Sequence, residues 1–133
     1  MTDDLSQWLR AQLDDDERTA RAASWTDDAN AWHAEPSPYG ARGNAQRWYV
    51  EDAMDDGVVS HVDPRASDDE GVARHIARHD PARVLREIDA KRQIVDRYAW
   101  LREHGDTGGT AWVLPLLALP FADRPGYRDE WRP

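Results

Sequence analysis

The stretch His79-Asp-Pro-Ala-Arg-Val-Leu-Arg-Glu-Ile-Asp-Ala-Lys-Arg-Gln-Ile-Val-Asp-Arg-Tyr-Ala-Trp-Leu-Arg-Glu-His104 decides the reading of this chain, because it joins a start signal to the longest sustained helical period. Aspartate is a favoured N-cap, its side chain accepting from free amides of the first turn. Proline is tolerated directly after it, since its missing N–H would have no partner there. Asp80-Pro81 therefore predicts a helix over 81–104. Advancing ~100° per residue, Val84, Ile88, Val95 and Ala99 share one side, flanked by Leu85 on one edge and by Ile94, Tyr98 and Leu101 on the other. So wide an apolar arc has to be covered by other elements. Arg86, Asp89, Gln93, Asp96 and Arg97 take the opposite face. Trp100 joins them, either as a second contact surface or as a ring lying along its own helix.

Lys91 is the one lysine in the sequence and falls near the middle of the apolar arc. Its stem can lie along the core while the ammonium pairs with Glu87 one turn earlier, an arrangement worth about 0.2–0.5 kcal/mol. Alternatively it is a desolvated amine beside a buried carboxylate, which would make Lys91 and Glu87 a site.

Working outward, a chain of 133 residues is expected to form a single domain around a modest core, to which seven tryptophans contribute. No run approaches ~18 apolar residues, and Met1-Thr-Asp-Asp4 is acidic where an export signal is basic, so a cytoplasmic protein with no membrane contact is expected. With zero cysteines, disulfides, thiolate nucleophiles and cysteine-ligated metal centres are excluded. The net charge of -9 is uneven: residues 1–66 hold 14 acids against 6 bases, residues 67–133 hold 12 against 11. Such a field repels nucleic-acid phosphates and steers a basic partner to the N-terminal half.

Leu5, Trp8, Leu9 and Leu13 recur at helical spacing behind Thr2 and Asp3, predicting an amphipathic helix over 3–22 that docks on the central one. The run Asp14-Asp15-Asp16-Glu17 within it reads as a solvated face or as a receiver for an arginine-rich partner. Residues 24–63 read as a small antiparallel sheet with a loop: a strand around Trp32, turn signals from Pro36 to Asn44, then strands over 46–52 and 58–62 joined by Met54-Asp-Asp-Gly57. Trp48 and Val50 would face the helices, Tyr49 and Glu51 the other side. Ser67, three residues before Glu70, has capping-box spacing and opens a short helix over 67–79. Beyond Gly105-Asp-Thr-Gly-Gly109, the stretch Trp112 to Phe121 predicts a short helix begun or kinked at Pro115. Its apolar residues lie nearly all round, so burial is expected. The tail, Asp123 to Trp131, reads as a turn pinned by two aromatics.

His75 and His79 stand at i, i+4 with Asp80 adjacent, a spacing that can hold a divalent metal, with His61, Asp63 or His104 as third ligands. Val72 and Ile76 share that side, which also suits two histidines at the edge of a core. Glu51, Asp52, Asp55 and Asp56 could take a hard cation, although their spacing is not that of a calcium loop; a charged hairpin tip is the plainer reading. No dinucleotide, phosphate-loop or nucleophile-elbow pattern occurs.

The wording of His75-Ile-Ala-Arg-His-Asp-Pro-Ala-Arg-Val-Leu-Arg-Glu-Ile88, of Ala90-Lys-Arg92, and of Leu116-Leu-Ala-Leu-Pro-Phe-Ala-Asp-Arg-Pro-Gly-Tyr-Arg128 with Glu130-Trp131 resembles a family of short actinobacterial and phage-borne proteins classed as a domain of unknown function. The acidic opening helix fits it too. The resemblance covers the ends and middle of the chain and implies no activity, so no catalytic residue is carried over. Between His104 and Leu116 members of that family tend to be longer.

Together these features predict an α+β fold: an N-terminal helix, a small antiparallel sheet, a long central helix and short flanking helices, with the last helix and tail over 110–131. The leading functional expectation is a non-catalytic interaction or regulatory protein whose protein partner meets the acidic surface (Asp14, Asp15, Asp16, Glu17) or Trp100. A metal-binding module or metal-dependent enzyme on His75, His79 and Asp80 is the alternative, and an acidic mimic of nucleic acid a third. No cofactor is expected apart from that divalent metal, and no direct nucleic-acid binding.

Overall fold

The computed structural model describes residues 4–38, 46–62, 68–105 and 111–133. In chain order they form helix α1 (Asp4–Ala22), a 3-10 turn (Asp27–Ala29), strands β1 (Trp32–Pro36), β2 (Trp48–Asp52) and β3 (Gly57–Val62), and helices α2 (Asp69–Arg78), α3 (Pro81–Glu103) and α4 (Val113–Ala118). The last helix runs on into a 3-10 turn (Leu119–Phe121), and a final one spans Asp129–Trp131. The fold is α+β, with each expected element present to within a few residues at its ends. The chain divides into two compact units, residues 1–18 with 86–133, and residues 19–85.

In the helical unit, α1 contributes Leu5, Leu9 and Leu13, all buried, because a four-residue step returns to the same face. Ile88 and Val95 of α3 and Leu114, Ala118 and Phe121 of the α4 region are buried as well. Arg10 on α1 pairs with Asp96 at 3.0 Å, while Arg92 on α3 donates to both Asp14 and Glu17 at 2.6 Å. As the numbers rise along α1 they fall along α3, so the two helices run antiparallel. The tail returns along α1 in the same sense: Arg124 reaches Asp16 at 2.6 Å, the Trp8 indole donates to the Pro125 carbonyl at 3.2 Å, and Arg128 reaches Asp4 at 3.3 Å. Tyr127 and Trp131 pack on Trp8 with ring centroids 5.6 and 5.4 Å away. Gly126 makes this approach feasible. Its φ is +87°, and a Cβ there would sit 2.8 Å from the Trp8 indole nitrogen.

The sequence leads one to expect burial all round α4, and here the structure differs. Leu114, Ala118 and Phe121 turn inward, whereas Trp112, Leu116 and Leu119 are 60%, 46% and 38% exposed. A short segment lying on one core can bury one side; Trp112, Leu116 and Leu119, spaced i, i+4 and i+7 across α4 and its two ends, fall on the opposite side.

In the sheet unit, the strands order β1-β2-β3 with both pairings antiparallel. Val50 and Val62 form the core with Ala73 and Ala77 of α2, surrounded by Trp32, Ala34, Trp48, Val58, Val59, Val72 and Ile76. Alanines on the inner face of α2 let the helix axis approach the sheet, and the half-buried tryptophans fill the margins. The cap of α2 is Asp68, whose carboxylate accepts from the Glu70 and Gly71 amides at 3.3 and 3.2 Å. That replaces the expected Ser67–Glu70 box, and Ser67 lies outside the described residues. Asp80 caps α3 as expected, accepting from the Arg83 amide at 2.8 Å, and its second oxygen accepts from the Trp32 amide at 3.0 Å. The start signal read in the sequence thus also anchors β1.

Candidate functional site

Strand alternation leaves the face of β1 and β2 that carries neither Ala34 nor Val50 to His33, Glu35, Tyr49 and Glu51. The register sets His33 opposite Glu51 and Glu35 opposite Tyr49. His33 Nε2 lies 2.8 Å from Glu51 Oε1 and 3.8 Å from Glu35 Oε1. Asp55, in the β2–β3 turn with φ of +60°, completes a group with His33 and Glu51 in which one ligand atom from each lies within 4.8 Å of the others. The Tyr49 hydroxyl is held above its ordinary range, by desolvation first and then by the charges of Glu51, Glu35 and Asp55. Three carboxylates and one imidazole therefore converge on this patch.

The turn that presents Asp55 is built around Asp52, which is 3% exposed. Its carboxylate accepts from the Trp25 indole at 3.0 Å and from the amides of Met54 and Asp56 at 2.8 and 3.1 Å. Desolvation pushes this carboxyl upward. The bonds from Trp25, Asp56 and Met54, with the nearby His33, outweigh it and hold the group below the usual carboxylate range. Asp52 is thus a structural anchor, and of the four hairpin acids singled out in the sequence only Glu51 and Asp55 join the imidazole.

The other residues singled out in the sequence are placed as follows. The His75 and His79 rings lie tilted against each other with centroids 4.4 Å apart; His79 Nδ1 donates to the His75 carbonyl at 2.8 Å. Both oxygens of Asp80 are occupied by the amides of Trp32 and Arg83. Among the described residues, the group with three convergent ligand types is His33, Glu51 and Asp55, and it does not include His75, His79 or Asp80. The His61 side chain and Asp63 lie outside the described residues, and His104 stacks on Trp100 at 4.0 Å. Lys91 is half-buried with its ammonium 5.8 Å from the centre of the Phe121 ring, a cation–π contact. Asp14 and Glu17 share Arg92, Asp16 holds Arg124, and Asp15 pairs with Arg18 at 3.1 Å. Arg92, bonded to Glu17 and then Asp14, is held even more firmly protonated than an ordinary arginine. Trp100, 47% exposed, is flanked by His104 and by the Arg97 guanidinium 5.2 Å from its centre.

The sequence displayed the alternation of β2 but not its register with β1. The sequence between the two strands does not fix which residues pair, so nothing in it set His33 opposite Glu51. The exposed row Trp112, Leu116 and Leu119 was visible as a spacing. In an all-apolar segment, however, spacing does not say which side faces out.

Comparison with known families decides the placement of the chain: the model of a family of unknown function, DUF6221, matches residues 2–133. The chain belongs to that family. Neither the curated proteins nor the solved structures yield a match. Among the described residues of this DUF6221 member, no helix is long and apolar enough to cross a membrane.

Proposed function

We propose that this DUF6221 protein is a non-catalytic interaction module of the cytosol, binding a protein partner through the apolar row Trp112, Leu116 and Leu119. That row carries the reading, with exposures of 60%, 46% and 38% on three large side chains one helical turn apart. A single exposed leucine needs no explanation; a tryptophan and two leucines at i, i+4 and i+7, on α4 and its two ends, repeat the spacing by which amphipathic helices enter a partner's groove. The segment Ala111–Ala122 contains no charged side chain, so docking it desolvates no ion. The acidic run of α1 supports the role less well, since Asp14, Asp16 and Glu17 are already engaged by Arg92 and Arg124. The same pairs weigh against a nucleic-acid mimic, which needs unneutralised carboxylates.

The test is co-purification from the native host, comparing the wild type with Leu116→Ser/Leu119→Ser, two exposed positions whose change leaves the buried core intact. The expected outcome is one protein recovered in stoichiometric amount with the wild type and lost with the variant, both being equally folded. Equal recovery with both, or a wild type that returns alone, would refute the reading.

A further inference from the structure

The geometry points to a divalent transition-metal site, of the Zn²⁺ or Mn²⁺ class, on the open face of the sheet, with His33, Glu51 and Asp55 as ligands and Glu35 at its edge. It is independent of the apolar row on α4. Three features of the cluster carry it. First, the donor set mixes one imidazole with carboxylates, which suits borderline divalent ions, whereas an all-oxygen set suits calcium or magnesium. Second, the donors are already gathered: Nε2 of His33, one Glu51 oxygen and one Asp55 oxygen lie within 4.8 Å of one another, and Glu35 Oε1 is 3.8 Å from Nε2. An ion between them is bound at ~2.0–2.2 Å from each donor, so side-chain rotation has to draw the donors somewhat closer together. Third, the backbone beneath is fixed by the β1–β2 register and by the three bonds accepted by the buried Asp52. Preorganised ligands lose little entropy on binding.

The charge pattern also needs a counter-ion. Among the described residues, the side chain set against Glu35 and Glu51 is the His33 imidazole, and no arginine or lysine pairs with Glu35, Glu51 or Asp55. On binding, Nε2 releases to solvent the proton it donates to Glu51 and offers its lone pair to the ion, the neutral ring carrying its one proton on Nδ1. The ion then neutralises carboxylates that otherwise repel one another.

Calorimetric titration of the full chain with Zn²⁺, and separately with Mn²⁺, tests this. The expected result is one equivalent of either ion, with affinity falling about tenfold or more in His33→Ala and in Glu51→Gln. Affinity should be unchanged in His75→Ala/His79→Ala. Asp55→Asn guards against misfolding: asparagine tolerates the positive φ of this exposed turn position and removes one ligand charge, so weaker binding by a folded protein is expected. A wild type that binds neither ion overturns the proposal. So does affinity unaltered in His33→Ala, Glu51→Gln and Asp55→Asn, or binding lost only with His75 and His79.

Discussion

In the helical unit the carboxylates Asp4, Asp14, Asp16 and Glu17 are each met by an arginine from α3 or the tail; in the sheet unit Glu35, Glu51 and Asp55 gather round a histidine. The cores differ in parallel. One is led by leucines, with Ile88, Val95, Ala118 and Phe121, and the other is made of valines and alanines framed by tryptophans. The contrast teaches that a surplus of acid is not one property of this chain. Where arginines answer it, the acid ties a helix pair together; where, among the described residues, none does, it is the acid we propose meets an external cation.

The comparison is broken most severely through the core of the helical unit. Leu13→Ala, at a position with no exposure, should cost about 3–4 kcal/mol in denaturant unfolding, whereas Leu116→Ala on the exposed row should change stability by less than ~0.5 kcal/mol. Next comes the tail. Gly126→Ala forces a Cβ against Trp8 at positive φ, for a loss of at least about 1–2 kcal/mol, read as altered Trp8 emission and faster exchange of the tail amides. Arg92→Ala should cost less, about 1 kcal/mol, because the arginine is 32% exposed and water screens both carboxylates it leaves behind; high salt should narrow the difference.

A pH experiment sharpens the other side. The folded-state value of Asp52 lies below its unfolded one. Its contribution is therefore complete above the ordinary carboxylate range and is lost as pH falls through the lowered folded value. Acid unfolding monitored by the Trp25 signal should have a shallower pH dependence in Asp52→Asn than in the wild type.

Much of this was legible in the sequence, and for definite reasons. The cap at Asp80 and the leucine spacing of α1 are local signals, so both helices follow from them. Ser67 and Asp68 both satisfy capping rules, so the sequence does not choose between them, and Asp68 caps α2. What stayed hidden depends on pairing across distance in the chain. Arg92 between Asp14 and Glu17, and His33 opposite Glu51, are brought together by antiparallel packing and strand register, which no local pattern encodes.

The most direct test of the contrast is an amide ¹H–¹⁵N spectrum of the full chain with a sub-stoichiometric amount of paramagnetic Mn²⁺. The two acid-rich regions should respond differently: resonances of His33, Glu51 and Asp55 broaden first, while those of Asp14 to Glu17 remain sharp. Broadening centred on Asp14 to Glu17, or spread equally over both regions, would contradict the account.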